Sequence, residues 1–283
     1  MALVTTEPLR AKAYRAGTLD ERTAAVERVI VAMRRNLAAP LSLEEMAEIA
    51  CLSSFHFNRV FRSVTGIPPG EFLAALRLDA AKRILLTTSL RVTDVCFELG
   101  YSSLGTFTTR FKQQVGLSPA QLRQLADDFT LSSVAPPFDR VTVAGDAPHP
   151  RESGGGGVYG SIAAPAPFAG LLFVGLFPKP IPQGRPVACV TLTAPGPFHI
   201  APAPDGRYFA LAAALPWSQS ALSYLTPGAG LLVGVAERPS LVRDGHSSAA
   251  IHLDMRPLRA TDPPILGVFP SLLRSAAALR LRA

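Results

Sequence analysis

Apolar residues recur at three- and four-residue steps through the first 125 positions, and later give way to short apolar or alternating runs broken by Pro and Gly. From Asp20 to Leu37, the steps Val26, Val29, Ile30 and Met33 predict a helix. Ser42 before Leu43-Glu44-Glu45 is an N-cap with acid in the first turn. It predicts a short helix from Leu43 to Ala50 with Met46, Ala47 and Ile49 turned inward. Cys51-Leu52-Ser53 leaves room only for a turn, and Ser53 or Ser54 caps a third helix that buries Phe57, Val60, Phe61 and Val64. Phe55, Asn58, Arg59 and Arg62 fall together on its other side. Gly66 suits a left-handed C-terminal position, and Pro68-Pro69 stop the helix. A long amphipathic segment follows from Pro69 to Leu86, with Phe72, Leu76, Ala80 and Ile84 four apart and Leu73 beside them. Thr93 is the expected cap of a helix Asp94–Leu99, and Gly100-Tyr101-Ser102 the turn after it. Ser103–Val115 forms the next helix, and Leu117-Ser118-Pro119 opens a closing one through Leu125.

One part of this pattern occurs twice, fifty residues apart: SSFHFNRVFRSVTGIPP from Ser53 to Pro69, and SSLGTFTTRFKQQVGLSP from Ser102 to Pro119. Phe57 corresponds to Phe107, Phe61 to Phe111, Arg62 to Lys112, Gly66 to Gly116 and Pro69 to Pro119. Two short helices joined by a tight turn, the second with an exposed polar and basic face, make a helix-turn-helix, whose second helix lies in the DNA major groove. Candidate DNA-reading residues are Ser54, Phe55, Asn58, Arg59 and Arg62 on the first such helix. On the second they are Ser103, Leu104, Gly105, Thr108, Thr109 and Lys112. Arg59 is expected to read a base, and Arg62 and Lys112 to meet phosphates, while His56 belongs to the helix start. The first copy offers Asn and Arg, the second mainly hydroxyls and one Lys, so base readout is expected chiefly from the first. Two such helices on a rigid linker can enter successive major grooves of one duplex if they sit ~34 Å apart.

Residues 126–157 shift to Ser, Pro, Asp and Gly and end in RESGGGG, which lacks the Lys-Ser/Thr of a phosphate loop and reads as a flexible linker. Strand-like runs then alternate with turns: Gly157–Ala163, Gly170–Phe177, Pro186–Thr193, Pro197–Ile200, Tyr208–Ala214, Gly230–Val235 and Ala249–Met255. The expected fold class is therefore two domains. The N-terminal one is all-α, with seven helices forming two helix-turn-helix units joined by a linker helix; the C-terminal one is an all-β sandwich of about seven short strands. The expected divisions are a tail at 1–20, the helical domain at 21–126, the linker at 127–157 and the β-domain at 158–283.

Charge sharpens the division. The net +7 splits into +5 for residues 1–125 and +2 for the rest, which suits a polyanionic partner for the helical half. Cys51, Cys96 and Cys189 are odd in number and have no CxxC spacing, which points to a reducing compartment. The first seventeen residues lack an apolar run, so no signal peptide is expected. The apolar run Leu171–Phe177 falls far short of the ~20 residues that span a bilayer. A cytoplasmic protein without membrane contact is the expectation. No HExxH, GxSxG or Cys/His cluster occurs, so no catalytic residue, metal or cofactor is expected. His252, Asp254 and Arg256 alternate with Ile251, Leu253 and Met255 as a solvated strand face does. His199 and Asp205 lie near loops, and Trp217 and Tyr224 read as core aromatics.

The block from Arg22 to Leu125 resembles the DNA-binding domain of AraC/XylS-type bacterial transcription regulators. The resemblance rests on SSFHFNRVFRSVTGIPPGEFL, on RLDAAKRIL in the linker and on ELGYSSLGTFTTRFKQQVGLSPAQLR. It implies sequence-specific binding near promoters, often with activation, and base contacts at Phe55, Asn58 and Arg59. This chain has Thr109 where the family commonly has Arg, and its DNA-binding domain comes first rather than last. LFVGLF with PIPQGRPVACVTLTAPGPFHIAPAPDGRYFALAAAL resembles transthyretin-like or carboxypeptidase-regulatory β-sandwiches, with Asp205-Gly206 as a turn and Tyr208 facing inward. The function implied is a transcription regulator whose partner is double-stranded DNA and whose β-domain senses a small-molecule effector or mediates assembly. Alternatives are a β-domain that only dimerises or contacts RNA polymerase, and a β-sandwich enzyme with an accessory helical domain. Monomer and homodimer both stay open, and no residue marks an effector site.

Overall fold

The computed structural model describes residues 7–131, 156–165, 168–218, 222–226, 228 and 230–268. Seven helices come first: α1 Glu7–Arg35, α2 Leu43–Ile49, α3 Ser54–Thr65, α4 Pro69–Thr87, α5 Val92–Glu98, α6 Leu104–Val115 and α7 Pro119–Leu131. The first begins earlier, and the last runs further, than their apolar steps indicate. Of the Ser/Pro/Gly segment expected as a linker, residues 132–155 lie outside the described residues.

Among the described residues, ten strands and one short helix follow. The strands are β1 Val158–Ala163, β2 Gly170–Phe177, β3 Ala188–Leu192, β4 Gly196–Ile200, β5 Gly206–Pro216, β6 Leu232–Val235, β7 Ser240–Arg243, β8 His246–Ser247, β9 Ile251–Asp254 and β10 Arg256–Pro257. The helix, α8, spans Leu222–Leu225. All seven predicted runs form strands; β7, β8 and β10 are additions of two to four residues each. One sheet has the order β4-β1-β9, with β1 antiparallel to β4 and parallel to β9. The other runs β10-β6-β5-β2-β3, with β7 on the early part of β5 and β8 on β7, every pair antiparallel. Val158 and Ile162 of β1, Phe198 of β4 and Leu253 of β9 share one core with Leu172, Val174 and Leu176 of β2 and Ala210, Ala212 and Ala214 of β5. Two sheets closed over one apolar layer form a sandwich.

The Pro-Asp-Gly-x-Tyr motif sits in this sandwich as a sheet-to-sheet crossing rather than a hairpin, because β4 and β5 belong to different sheets. Tyr208 is buried, and its hydroxyl donates to Asp205 O at 3.1 Å. The Asp205 carboxylate accepts from Gly245 N at 2.9 Å, and that amide with its neighbour at Asp244 holds the acid below its usual range. Trp217 corrects the expectation of a core aromatic: it is 47% exposed, one residue past the end of β5, whereas Tyr224 on α8 is buried and accepts from Ser218 N at 2.8 Å.

By packing, the chain divides within α4. One unit is Met1–Arg77 with Arg259–Pro263, and the other is Leu78–Leu258 with Pro264–Ala283. In the first, Phe61 is fully buried between the rings of Phe57 and Phe72, each 5.5 Å away edge-on. In the second, α5, α6 and α7 belong with both sheets. Arg77 in the first unit donates to Leu37 O and Ala39 O; Arg123 in the second donates to Leu85, Thr88 and Leu90 O, so each binds at or just past the end of an earlier helix.

Lys82 on α4 is 1% exposed, and its ammonium donates to Ile265 O at 3.1 Å. Burial pushes its pKa down to about 8 from 10.5, against the attraction of Asp79. Between those two values the unfolded chain binds more protons than the folded one, so stability should rise with pH across that window. Below it the lysine is charged in both states, and the full cost of burying it is present. Urea midpoints at successive pH values should climb for the parental chain and lose that climb in Lys82→Met.

Candidate nucleic-acid interface

Ser42 starts the first helix-turn-helix with reciprocal hydrogen bonds. Its hydroxyl accepts from Glu45 N at 3.2 Å, and its own N–H donates to the Glu45 carboxylate at 2.7 Å. Hydrogen bonding of that carboxylate to the backbone N–H and then the side chain of Ser42 holds the Glu45 pKa below the usual carboxylate range. At the end of α2, Cys51 N donates to Glu48 O and Leu52 N to Ala47 O, both at 2.9 Å, and Cys51 takes a left-handed φ of 57°. Ser53 then caps α3, accepting from His56 N at 3.4 Å.

The second unit repeats this geometry with one more residue in the turn. Gly100 N donates to Phe97 O and Tyr101 N to Cys96 O, the same two bonds moved by 49 positions, and Gly100 fills the left-handed place with φ 77°. Ser103 caps α6, as Ser53 caps α3, but 50 positions on. Both α3 and α6 end at a left-handed glycine, Gly66 with φ 80° and Gly116 with φ 91°, a conformation that strains residues bearing a Cβ. The α5 cap corrects an expectation. Arg91, not Thr93, precedes the helix, and no side chain caps it; Arg91 pairs with Asp94 at 2.9 and 3.0 Å instead. The Arg91 hydrogen bond lowers the Asp94 pKa.

On α3 the buried side is Phe57, Val60, Phe61 and Thr65, with Val64 only half-buried. Opposite it, Phe55, Asn58, Arg59 and Arg62 are exposed, Phe55 to 82%, and Ser54 is half-buried. On α6, Phe107, Phe111 and Val115 are buried, and the Tyr101 ring meets Phe107 edge-on at 5.1 Å. Leu104, Gly105, Thr109 and Lys112 are exposed, Thr108 is half-buried, and the Ser103 hydroxyl is committed to capping through Thr106 N. Arg110 is also exposed, at the place equivalent to buried Val60, and adds a second cation that periodicity alone did not assign to the outer face.

The arginines sort into two kinds. Arg77 and Arg123 hold backbone carbonyls, and Arg83 and Arg91 pair with Asp79 and Asp94. Among the described residues, Arg59, Arg62, Arg110 and Lys112 have no acidic partner within ion-pair distance. Cations left uncommitted on exposed helix faces can meet phosphates or base edges without first breaking an internal bond.

On the outer face of β1 and β9, the Ser161 hydroxyl lies 2.8 Å from His252 Nδ1, and His252 Nε2 lies 3.3 Å from the Asp254 carboxylate. The order Ser, His, Asp is that of a nucleophile relay. The imidazole and carboxylate side chains are, however, 62% and 80% exposed, so water screens the pair and the face lies open. This is a solvated strand face with its polar groups bonded to one another. His199 on β4 stacks flat on Tyr159 at 4.1 Å. Among the described residues, no three His, Cys, Asp or Glu side chains gather as a metal site requires, and no helix is long and apolar enough to cross a membrane.

A helix-turn-helix domain family matches residues 46–125, the stretch that holds α3 and α6. The HTH-type transcriptional activator AarP of Providencia stuartii is 34% identical over 98 residues, which are 35% of this chain and 73% of AarP. The bifunctional transcriptional activator/DNA repair enzyme AdaA of Bacillus subtilis is 33% identical over 92 residues, 32% of this chain and 44% of AdaA. The chain thus spans less than half the length of AdaA. Among solved structures, the DNA-binding domain of the global transcriptional factor AdpA in complex with a target DNA has 31% identity. It covers 35% of this chain and 89% of that one, with a TM-score of 0.34.

Proposed function

Because this chain belongs to the AraC/XylS family of DNA-binding transcription regulators, we propose that it reads promoter DNA by inserting α3 and α6 into major grooves. The observation that carries this reading is the outer face of α3, where Asn58, Arg59 and Arg62 stand exposed and uncommitted. Asn and Arg are the side chains that bond two atoms of an adenine or guanine edge at once. In this reading Arg59 reads a base, Arg62 and Lys112 hold phosphates, and Phe55 with Leu104 packs on thymine methyl groups. Gly105, Thr108 and Thr109 give α6 a small, hydroxyl-bearing surface suited to backbone and shape contacts.

The C-terminal sandwich serves regulation, either by sensing a small-molecule effector or by assembly with a second chain or RNA polymerase. Whichever it is, the occupant changes promoter affinity only by interacting differently with the DNA-competent state and its alternative.

Duplex DNA titrated across a series of salt concentrations tests the central reading. Affinity should fall steeply, by a logarithmic slope of about 0.9 for each phosphate neutralised. A chain that binds no duplex, or binds with no salt dependence, would refute it.

A further inference from the structure

The two reading helices close their C-terminal ends by different means. In α3 the Thr65 hydroxyl lies 2.9 Å from the carbonyls of both Phe61 and Ile67 and accepts from Ile67 N at 3.4 Å, so a side chain of the helix ties its last turn to the residues that follow. Fifty residues on, the same place in α6 is Val115, which has no hydroxyl. The last carbonyls of a helix have no partner within it and must find one elsewhere. For α6 the partners come from the β-domain: Gly184 N donates to Gln114 O, and Val268 N donates to Val115 O at 3.2 Å.

The two donors are parts of one clasp. Leu266 and Gly267 both donate to Pro182 O, at 3.2 and 3.3 Å, which ties residues 265–268 to residues 181–184. Ile181, Leu266 and Val268 are buried there. The Lys82 ammonium adds a third attachment by donating to Ile265 O from α4. All of these residues belong to one compact unit.

We infer that the β-domain supplies the C-terminal cap of the second reading helix and so positions α6 for DNA, whereas the last turn of α3 is held by its own Thr65. The consequence is selective: whatever loosens residues 181–184 or 265–268 weakens contact with the half-site under α6 and leaves the other half-site bound. The inference rests on the reading of α6 as a DNA-reading helix, but the capping itself does not.

Hydroxyl-radical footprinting of the full chain, on a duplex that it selects from a random pool, tests both. The half-site under α6 is the one that Lys112→Ala weakens. A Cβ at position 267 would stand 2.8 Å from Gly184 O, so Gly267→Val forces the clasp open. Gly267→Val should need roughly tenfold more protein to protect the α6 half-site, the scale of one buried hydrogen-bonding group left unpaired, with the other half unchanged. Unchanged protection of both halves by Gly267→Val would overturn the inference. Should that variant not fold, amide exchange in the parental chain decides. Gly184 and Val268 should exchange together with the last turn of α6, and their early exchange while α6 stays protected would overturn the capping. A parental chain that protects no DNA defeats the reading of α6, and the exchange measurement still judges the clasp.

Discussion

Replacing Phe61 by Ala is expected to cost about 3–5 kcal/mol of stability, most of what a small domain has. The ring is fully buried and touches Phe57 and Phe72 edge-on, so truncation removes both aromatic contacts and leaves a space that the neighbouring side chains fill only in part. The loss falls where α3 is held, so the variant should unfold at lower urea and lose DNA binding together with structure. Phe55→Ala is the contrast. That ring is 82% exposed, so its removal should leave the urea midpoint nearly where it was while weakening binding to a selected duplex. Urea titration followed by helical ellipticity separates the two. If Phe55→Ala cost as much stability as Phe61→Ala, the assignment of inner and outer faces of α3 would be wrong.

Arg59→Ala should lower affinity for a selected duplex by about 1–3 kcal/mol, a loss of roughly ten- to a hundredfold, and should change affinity for scrambled sequence far less. The guanidinium is exposed on α3 and pairs with no acidic group among the described residues, so its removal strands no internal charge. Lys112→Ala on α6 should instead weaken target and scrambled duplexes alike and reduce the salt slope by about one phosphate's worth. Binding curves on both duplexes at two salt concentrations tell the roles apart. Equal losses for Arg59→Ala on target and scrambled DNA would remove Arg59 from the base-reading set.

The repeated pattern made the helical half legible because its signals are local. Ser42, Ser53 and Ser103 cap the helices that follow them, Gly66 and Gly116 end the reading helices, and the aromatic pairs face inward. Arg91 was hidden because its bond to Asp94 outweighs the capping preference of Thr93, a contest that hydrophobic steps do not display. Cys51 in a left-handed turn is set by closure of α2, not by its own preference. In the sandwich, β7, β8 and β10 escaped notice because strands of two to four residues carry too few positions to alternate. Burial of Lys82 was invisible for another reason: its partner Ile265 lies 183 residues away, and a lysine on an amphipathic helix reads as solvent-facing until the covering segment is seen. The outer face of α3 was readable residue by residue, while the cap of α6 depends on pairing between distant backbone groups.

The extra residue between α5 and α6 has a bearing on how these halves can be recombined. Because the turn bonds repeat at 49 positions and the reading helices at 50, the duplicated devices are not equal in length. A transplant of α6 alone onto α2 would import the helix without the loop that sets its start, and its inner and outer faces would be rotated by part of a turn. Exchanging the complete stretches, 43–66 against 92–116, carries each loop with its own helix and keeps the aromatic side inward. The copy moved forward would bring Val115 to an end that Thr65 had tied down, and would leave behind Gly184 and Val268, the donors on which its last carbonyls rely.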